Sequence, residues 1–434
     1  MPKKKRIFGK NSIKDEKPRK KLKSDPDLRA NNTIDYYKLI NYELKRKIGD
    51  YLPRKIFNYK LFSSIKPAEK VSCCTNEGSY GSEAIYNIEF SKDNKILIAA
   101  GAKSEISLFD PLSYQKINSV DSKHTDGVNC LTFLDSRLFT TSSDDQTIAI
   151  WDIRNLSSRV STLTGHTGWV KDVSYMPQSN CLISSAFDDT VRVWNINDFE
   201  KDGCVKSEQV LDIKYLTRTK LSQDCSKLVA ATTSGHFFVI DNIDLEFLKI
   251  DANCELQKFL YESPNIPKMT KSRKRNRIEF IIDFPLNSNP WCITSVKTHP
   301  NSKSVISRYS SEVDHSEWTV VHDIEENFEN ETNSNRLKYF ISEPSAAPGY
   351  IKELSFNEDG SLICSPFGNS IRFLAFNKKC DSEPIDGNKP CCLEEINFVT
   401  FHNFPVLTAR FAFGLPLVAS GCLGGHVCFY QTRF

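Results

Sequence analysis

Two stretches of the chain superimpose with an offset of 42 to 43 residues. "HTDGVNCLTFLDSRLFTTSSDDQTIAIWD" covers 124–152 and "HTGWVKDVSYMPQSNCLISSAFDDTVRVWN" covers 166–195, so that His124, Asp145 and Trp151 fall on His166, Asp188 and Trp194. Inside each copy, short runs alternate apolar and polar residues between turn residues, the period-two pattern of strands. Fainter copies occupy 84–110, 216–241, 291–323, 349–376 and 405–430, which makes seven. A unit of this size cannot bury its apolar surface alone and must stack against its neighbours.

A repeat of about 40–45 residues with His near its start and Trp-Asp near its end is the mark of WD-repeat blades. The chain is therefore expected to be all-β, a seven-bladed WD-repeat β-propeller over 60–434 with an N-terminal helix-loop-helix and a disordered basic tail. Each repeat supplies the outer strand of one blade and three strands of the next. The strand pattern ends at "FYQTRF", so a segment upstream of the first copy has to complete the last blade, and "KLFSSIK" at 60–66 is the expected one. Closure of this kind leaves no large sheet edge open to aggregation. Three connections, at about 245–290, 324–338 and 377–397, are too long for turns and are expected to project as loops; the first contains the basic "KMTKSRKRNR" at 268–277.

The N-terminal 30 residues hold twelve Lys or Arg against four Asp or Glu, so this tail carries +8 and the other residues −5 of the net +3. With few apolar residues, the segment 1–32 cannot fold alone. Its clusters "KKKR" at 3–6 and "RKK" at 19–21 read as nuclear import signals or nucleic-acid contacts. From 33 to 59 the pattern changes to a helix-loop-helix. Ile34, Tyr37, Ile40, Leu44 and Ile48 recur at helical spacing and form one apolar face. Asn32 or Thr33 supplies the N-cap, Gly49 and Pro53 stop the first helix, and a short second helix is expected from about Pro53 to Tyr59. The stripe either packs on the body or docks a partner.

Composition narrows the function classes. No apolar run approaches 18 residues, so no membrane span is expected, and "MPKKKRIFGK" lacks the apolar stretch of a secretory signal. The 14 cysteines are read as reduced thiols of a protein that is not secreted and resides in the nucleus, the cytoplasm or both. Neither Cys73-Cys74 nor Cys391-Cys392 has the spacing that lets two thiolates grip one zinc, and no metal or cofactor is expected. Phosphate-cradle, nucleophile-elbow and zinc-helix motifs are absent, so the chain is not expected to be an enzyme. His124 with Asp145 and Trp151, and His166 with Asp188 and Trp194, are assigned to a buried hydrogen-bond network that includes a middle-strand Ser or Thr. His426 does not fit that network and receives no role. Arg154 follows Trp151 and Asp152 at a blade rim, where its planar fork can bind acceptors on a partner or pair with a loop. The second copy reads Asn195 and Asn197 at the matching positions. Trp169, at the start of an inner strand, either lines the opposite opening or is buried by packing.

The segment "FTTSSDDQTIAIWDIR" (139–154) resembles the sixteen-residue box of the WD-repeat substrate receptors of the cullin-4–RING ubiquitin ligase, with Asp145, Trp151, Asp152 and Arg154 on its defining positions. "GHTGWVKDVSY", "IKELSFNEDG" and "ASGCLGGHVCFYQ", in order along the chain, are similar to one subgroup of that adaptor-and-cullin-4-associated factor family. The resemblance implies a receptor without catalysis. Its Arg face (Arg154, Asp152) and the stripe of Ile34, Tyr37, Ile40, Leu44 and Ile48 would bind the multi-propeller adaptor and, through it, the cullin and RING subunits. Another surface, with Trp169 a candidate, would present an unknown protein substrate. The alternative is a nuclear scaffold or chromatin-associated propeller that uses the tail and the 268–277 loop on nucleic acid. Salt separates the two, because phosphate-driven binding weakens by orders of magnitude between roughly 50 and 200 mM salt.

Overall fold

Short alternating strands need hydrogen-bonded neighbours, and in a computed structural model of the chain they obtain them in seven consecutive sheets built on antiparallel pairs. The structure describes residues 54–72, 84–199, 205–233, 235, 237–241, 243, 245, 277–281, 291–311, 313, 316–325, 337–343, 352–376 and 391–432. Blade 2 shows the plan: Val128–Phe133, Leu138–Ser143, Thr147–Asp152 and Ser161–Thr164 pair in that order from the innermost strand outward. The core lies between blades. Ile98, Ile106 and Leu108 of blade 1 pack on Val128, Phe139 and Trp151 of blade 2, and comparable clusters follow around the ring. Middle strands covered on both faces lose their alternation and read as apolar runs, as in Leu97–Gly101.

The ring closes as expected in principle but with a different segment. The outer strand of blade 7 is Ile65–Ser72, paired antiparallel with His426–Thr432 so that Ile65 faces Thr432 and Ser72 faces His426. Most of the expected "KLFSSIK" segment is instead the end of a helix, Arg54–Ser63. Its Leu61 and Phe62 are buried, and the Phe62 ring lies 5.9 Å from Phe373 and 5.1 Å from Phe411. Asn58 donates to Asp359 and the Tyr59 hydroxyl to Glu394. These anchors make the helix part of the propeller, in the compact unit that begins at Leu52, so the boundary drawn between 59 and 60 cuts through one element. The tail at 1–32 and the expected first helix with Ile34, Tyr37, Ile40, Leu44 and Ile48 lie outside the described residues.

Each of the three long connections also ends earlier than expected, because each blade needs a fourth strand. Arg277–Ile281 pairs with Phe237–Asp241 in blade 4, and Leu337–Glu343 edges blade 5. Glu394–Thr400 completes blade 6, while Cys391–Cys392 adds a short parallel edge to Leu337–Glu343. Among the described residues no helix is long and apolar enough to cross a membrane.

Strand direction divides the ring into two faces. First and third strands of a blade run the same way, so one face, here the entry face, carries the segments just before the first strands and the turns between second and third strands. The exit face carries the turns after first and third strands. Trp169 precedes Val170–Met176 and belongs to the entry face, whereas Arg154 follows Thr147–Asp152 and belongs to the exit face.

Candidate functional site

The two clear repeats bring their marked residues together in the same way. The Trp151 indole N–H donates to Thr141 Oγ1 at 3.0 Å, and Thr141 lies 2.8 Å from His124 Nε2. His124 Nδ1 reaches Asp145 Oδ2 at 2.7 Å. With the ring proton on Nδ1, every member of this chain of bonds donates to the next. Blade 3 repeats it through Trp194, Ser184, His166 and Asp188. Burial alone would raise the Asp145 carboxyl, but hydrogen bonds from His124 and Thr147 outweigh it and hold the group well below the usual carboxylate range. Asp145 also accepts the backbone N–H groups of Thr125 and Thr147 and so ties two loops. Asp145→Ala strands these donors and is expected to remove about 2 kcal/mol of stability in urea unfolding, with Asp145→Asn losing less because an acceptor remains.

A third network had no Trp to announce it. His402 Nε2 lies 2.6 Å from Ser420 Oγ, which donates to the Tyr430 hydroxyl at 3.0 Å. Tyr430 thus stands where Trp151 and Trp194 stand, and Gly425 takes the left-handed turn position that Gln146 and Asp189 hold in blades 2 and 3. Burial, with Lys70 and His426 adding to it, pushes the His402 imidazole down to about 3. The signal was present: Val128, Val170 and Val406 each follow a His by four residues. His426 begins the last strand and stacks on Phe404 with ring centroids 6.4 Å apart.

On the exit face, Asp152 ends its strand by accepting the Arg154 backbone N–H, then grips the guanidinium through Nε at 3.1 Å and Nη2 at 2.9 Å. The side-on edge of the Arg154 fork is therefore closed within the chain, and the outward edge formed by Nη1 and the second Nη2 hydrogen is what a partner can use. The Arg154 side chain is 65% exposed, and Arg137 adds a second cation 3.5 Å from Asp152. Hydrogen bonds from the Arg154 side chain and backbone hold the Asp152 carboxyl down at about 2. Blade 3 does not build this turn. Asn195 supplies no carboxylate, and the strand runs on as Thr190–Phe199.

Blade 1 supplies a residue that repeat reading missed. Asp110 accepts the Leu112 backbone N–H at 2.9 Å, so Leu112 takes the place in blade 1 that Arg154 takes in blade 2. It is 78% exposed, and Phe413 is a further exposed apolar side chain on the exit face. On the entry face Trp169 is not buried: it is 51% exposed, with its ring 6.0 Å from Phe187 and the Lys171 ammonium 4.8 Å above it.

The channel is lined by charge. Glu353 of blade 6 accepts from Arg218 of blade 4, lies 3.3 Å from Lys297 of blade 5 and 4.0 Å from Arg410 of blade 7. Lys220 pairs with Asp172 of blade 3, Arg410 with Glu89 of blade 1 at 3.0 Å, and Lys171 with Asp144 of blade 2 at 2.7 Å. The inner strands are thereby stitched blade to blade. Among the described residues no group of three or more His, Cys, Asp or Glu is placed to hold a metal ion.

This geometry has recognisable relatives. The WD domain, G-beta repeat model matches residues 115–152 and 157–195. The DDB1- and CUL4-associated factor 10 of Danio rerio is 35% identical over 86% of this chain and 79% of its own length, and that of Homo sapiens is 34% identical over 86% and 73%. A DDB1- and CUL4-associated factor 11 homolog of Caenorhabditis briggsae matches at 28% over 29% of this chain and 24% of its own length. With the repeats, the blade networks and similarity along most of the sequence in agreement, the chain belongs to the DDB1- and CUL4-associated factor 10 family of WD-repeat proteins.

Proposed function

We propose that the chain is a non-catalytic substrate receptor of a cullin-4–RING ubiquitin ligase, docking on DDB1 and presenting a protein for ubiquitination. The observation that carries this reading is the exit-face rim, where Asp152 aims the outward edge of Arg154 into solvent and the exposed Leu112 occupies the equivalent position one blade away. A charged fork beside an apolar knob is the composition of an interface anchor. The names of the relatives, DDB1- and CUL4-associated factors, point to the same partners. The stripe of Ile34, Tyr37, Ile40, Leu44 and Ile48 would enter a groove of DDB1 as a helix. Trp169 and Phe187 on the entry face would then stand towards the substrate. Ubiquitin transfer itself belongs to the RING subunit and its conjugating enzyme, and this chain contributes proximity. The basic clusters of the tail support residence in the nucleus as well as the cytoplasm.

Co-purification with DDB1 tests the reading. A chain lacking residues 1–51 keeps Leu61 and Phe62 in place and is expected to retain the thermal unfolding transition of the propeller while recovering at least tenfold less DDB1. Undiminished recovery would remove the helical stripe from the interface.

A further inference from the structure

Where the inner strands end on the exit face, the channel widens into a cavity of about 340 Å³. Among the described residues its wall carries Lys92, Lys220, Lys297 and Arg410, with Glu89 as the one carboxylate and Tyr175 at its side. Behind the wall stand Arg218, Asp172 and Glu353. Among the described residues five cations thus face three carboxylates, an excess of two positive charges in a site whose Lys220, Lys297 and Arg410 side chains are only 11–15% exposed. The Lys297 ammonium meets one carboxylate oxygen, at 3.3 Å, and a lysine has three hydrogens to donate. Lys92 is exposed at the lip and donates to the Leu134 carbonyl at 2.9 Å.

Two explanations compete for this excess. One is deprotonation of a lysine, and burial together with Arg410 and Lys220 does push Lys297 down to about 8. That still leaves the ammonium form the major one at pH 7. The other outcome is an anion: a group with several oxygens can accept from Lys92, Lys220 and Lys297 at once and offset the charge that the protein's own carboxylates do not. The volume lies at the small end of ligand pockets, which suits a compact multianion rather than a polymer.

We propose that the exit-face mouth of the channel is a binding site for a small multianionic ligand bearing phosphate or carboxylate groups, held by Lys92, Lys220, Lys297 and Arg410. The site does not depend on the receptor reading, since its residues differ from the Arg154 rim. Calorimetric titration of the full chain with pyrophosphate and with citrate, at matched ionic strength, is expected to give saturable one-to-one binding of at least one of them. The tighter of the two assigns the ligand to phosphate or carboxylate chemistry. Lys92→Glu, which reverses charge at the lip without touching the buried lattice, and Lys297→Gln are each expected to weaken that binding at least tenfold. No saturable binding of either anion overturns the proposal. So does equal binding in wild type and both variants, which would place the anion elsewhere, for instance on the basic tail. Binding of an acidic peptide with neither small anion overturns it in favour of protein docking.

Discussion

Glu353→Gln is expected to remove roughly 3–5 kcal/mol of stability at pH 7, measured by urea unfolding. The substitution keeps the shape and removes one charge, yet that charge is what four blades share. Arg218, Lys297 and Arg410 approach the same carboxylate from blades 4, 5 and 7, and the Glu353 backbone is itself bonded to blade 7 through Leu407 and Ala409. Without the carboxylate, cations buried in the channel face one another with too little counter-charge, which is far costlier than never having built the pair. A loss of this size is a large fraction of the total stability of a typical domain. The pH dependence follows. Burial alone would raise the Glu353 carboxyl, but Arg218 and its neighbours outweigh it and hold the group far below the usual range. The folded-state value is thus depressed below the unfolded value of about 4.3, so the contribution is complete above about pH 5 and is lost as pH falls below it. The gap between wild type and variant should accordingly narrow in acid. Adding Arg218→Met to Glu353→Gln should recover part of the loss, because it removes a stranded cation. A variant within 1 kcal/mol of wild type at pH 7 would show that apolar packing alone holds the inner strands.

That lattice was hidden in the sequence for a physical reason. The Trp-centred networks are local: His124 and Trp151 belong to one repeat, and spacing within about 30 residues exposes them. The channel charges come one or two per blade, so Arg218 and Glu353 meet across 135 residues with no spacing to mark them. What could have revealed them is the first strand of several copies, where a charge interrupts an apolar pattern: Glu89 in "IYNIEF", Lys220 in "LTRTKL", Arg410 in "VLTARF". Each strand alone looks like an ordinary half-exposed edge. The seven-fold closure converts them into one buried ring. The blade-7 network stayed unread because Tyr430 replaced the Trp and Gly424 the Asp, leaving only the His-to-Val spacing. The closing strand was misplaced by five residues because "KLFSS" satisfies two patterns. Leu61 and Phe62 serve a helix as well as a strand, and the aromatic contacts of Phe62 with Phe373 and Phe411 decide for the helix.

Arg154→Ala is expected to lower recovery of DDB1 at least tenfold while leaving the unfolding transition of the propeller unchanged. The separation of the two effects follows from where the side chain stands. The Arg154–Asp152 pair is exposed, and surface pairs of this kind add little to stability. Its consequence is geometric. By bonding Nε and Nη2, Asp152 fixes the plane of the guanidinium, so the outward edge is presented with little rotamer entropy left to lose on binding. Arg154→Lys keeps the charge but has no planar edge, and it should behave more like alanine than like arginine. Asp152→Asn separates aim from charge: it can still accept the Arg154 backbone N–H, but it cannot hold both guanidinium nitrogens as a carboxylate does. Its expected loss is intermediate. Leu112→Asp, on the neighbouring blade, places a carboxylate at the matching exposed turn and should weaken recovery if the two residues meet one surface. Arg137 offers the discriminating control, because it contacts the same Asp152 and is also exposed, so a diffuse electrostatic attraction would treat Arg137→Ala and Arg154→Ala alike. Equal losses in those two variants, with Leu112→Asp neutral, would point to long-range charge steering and away from a docked arginine.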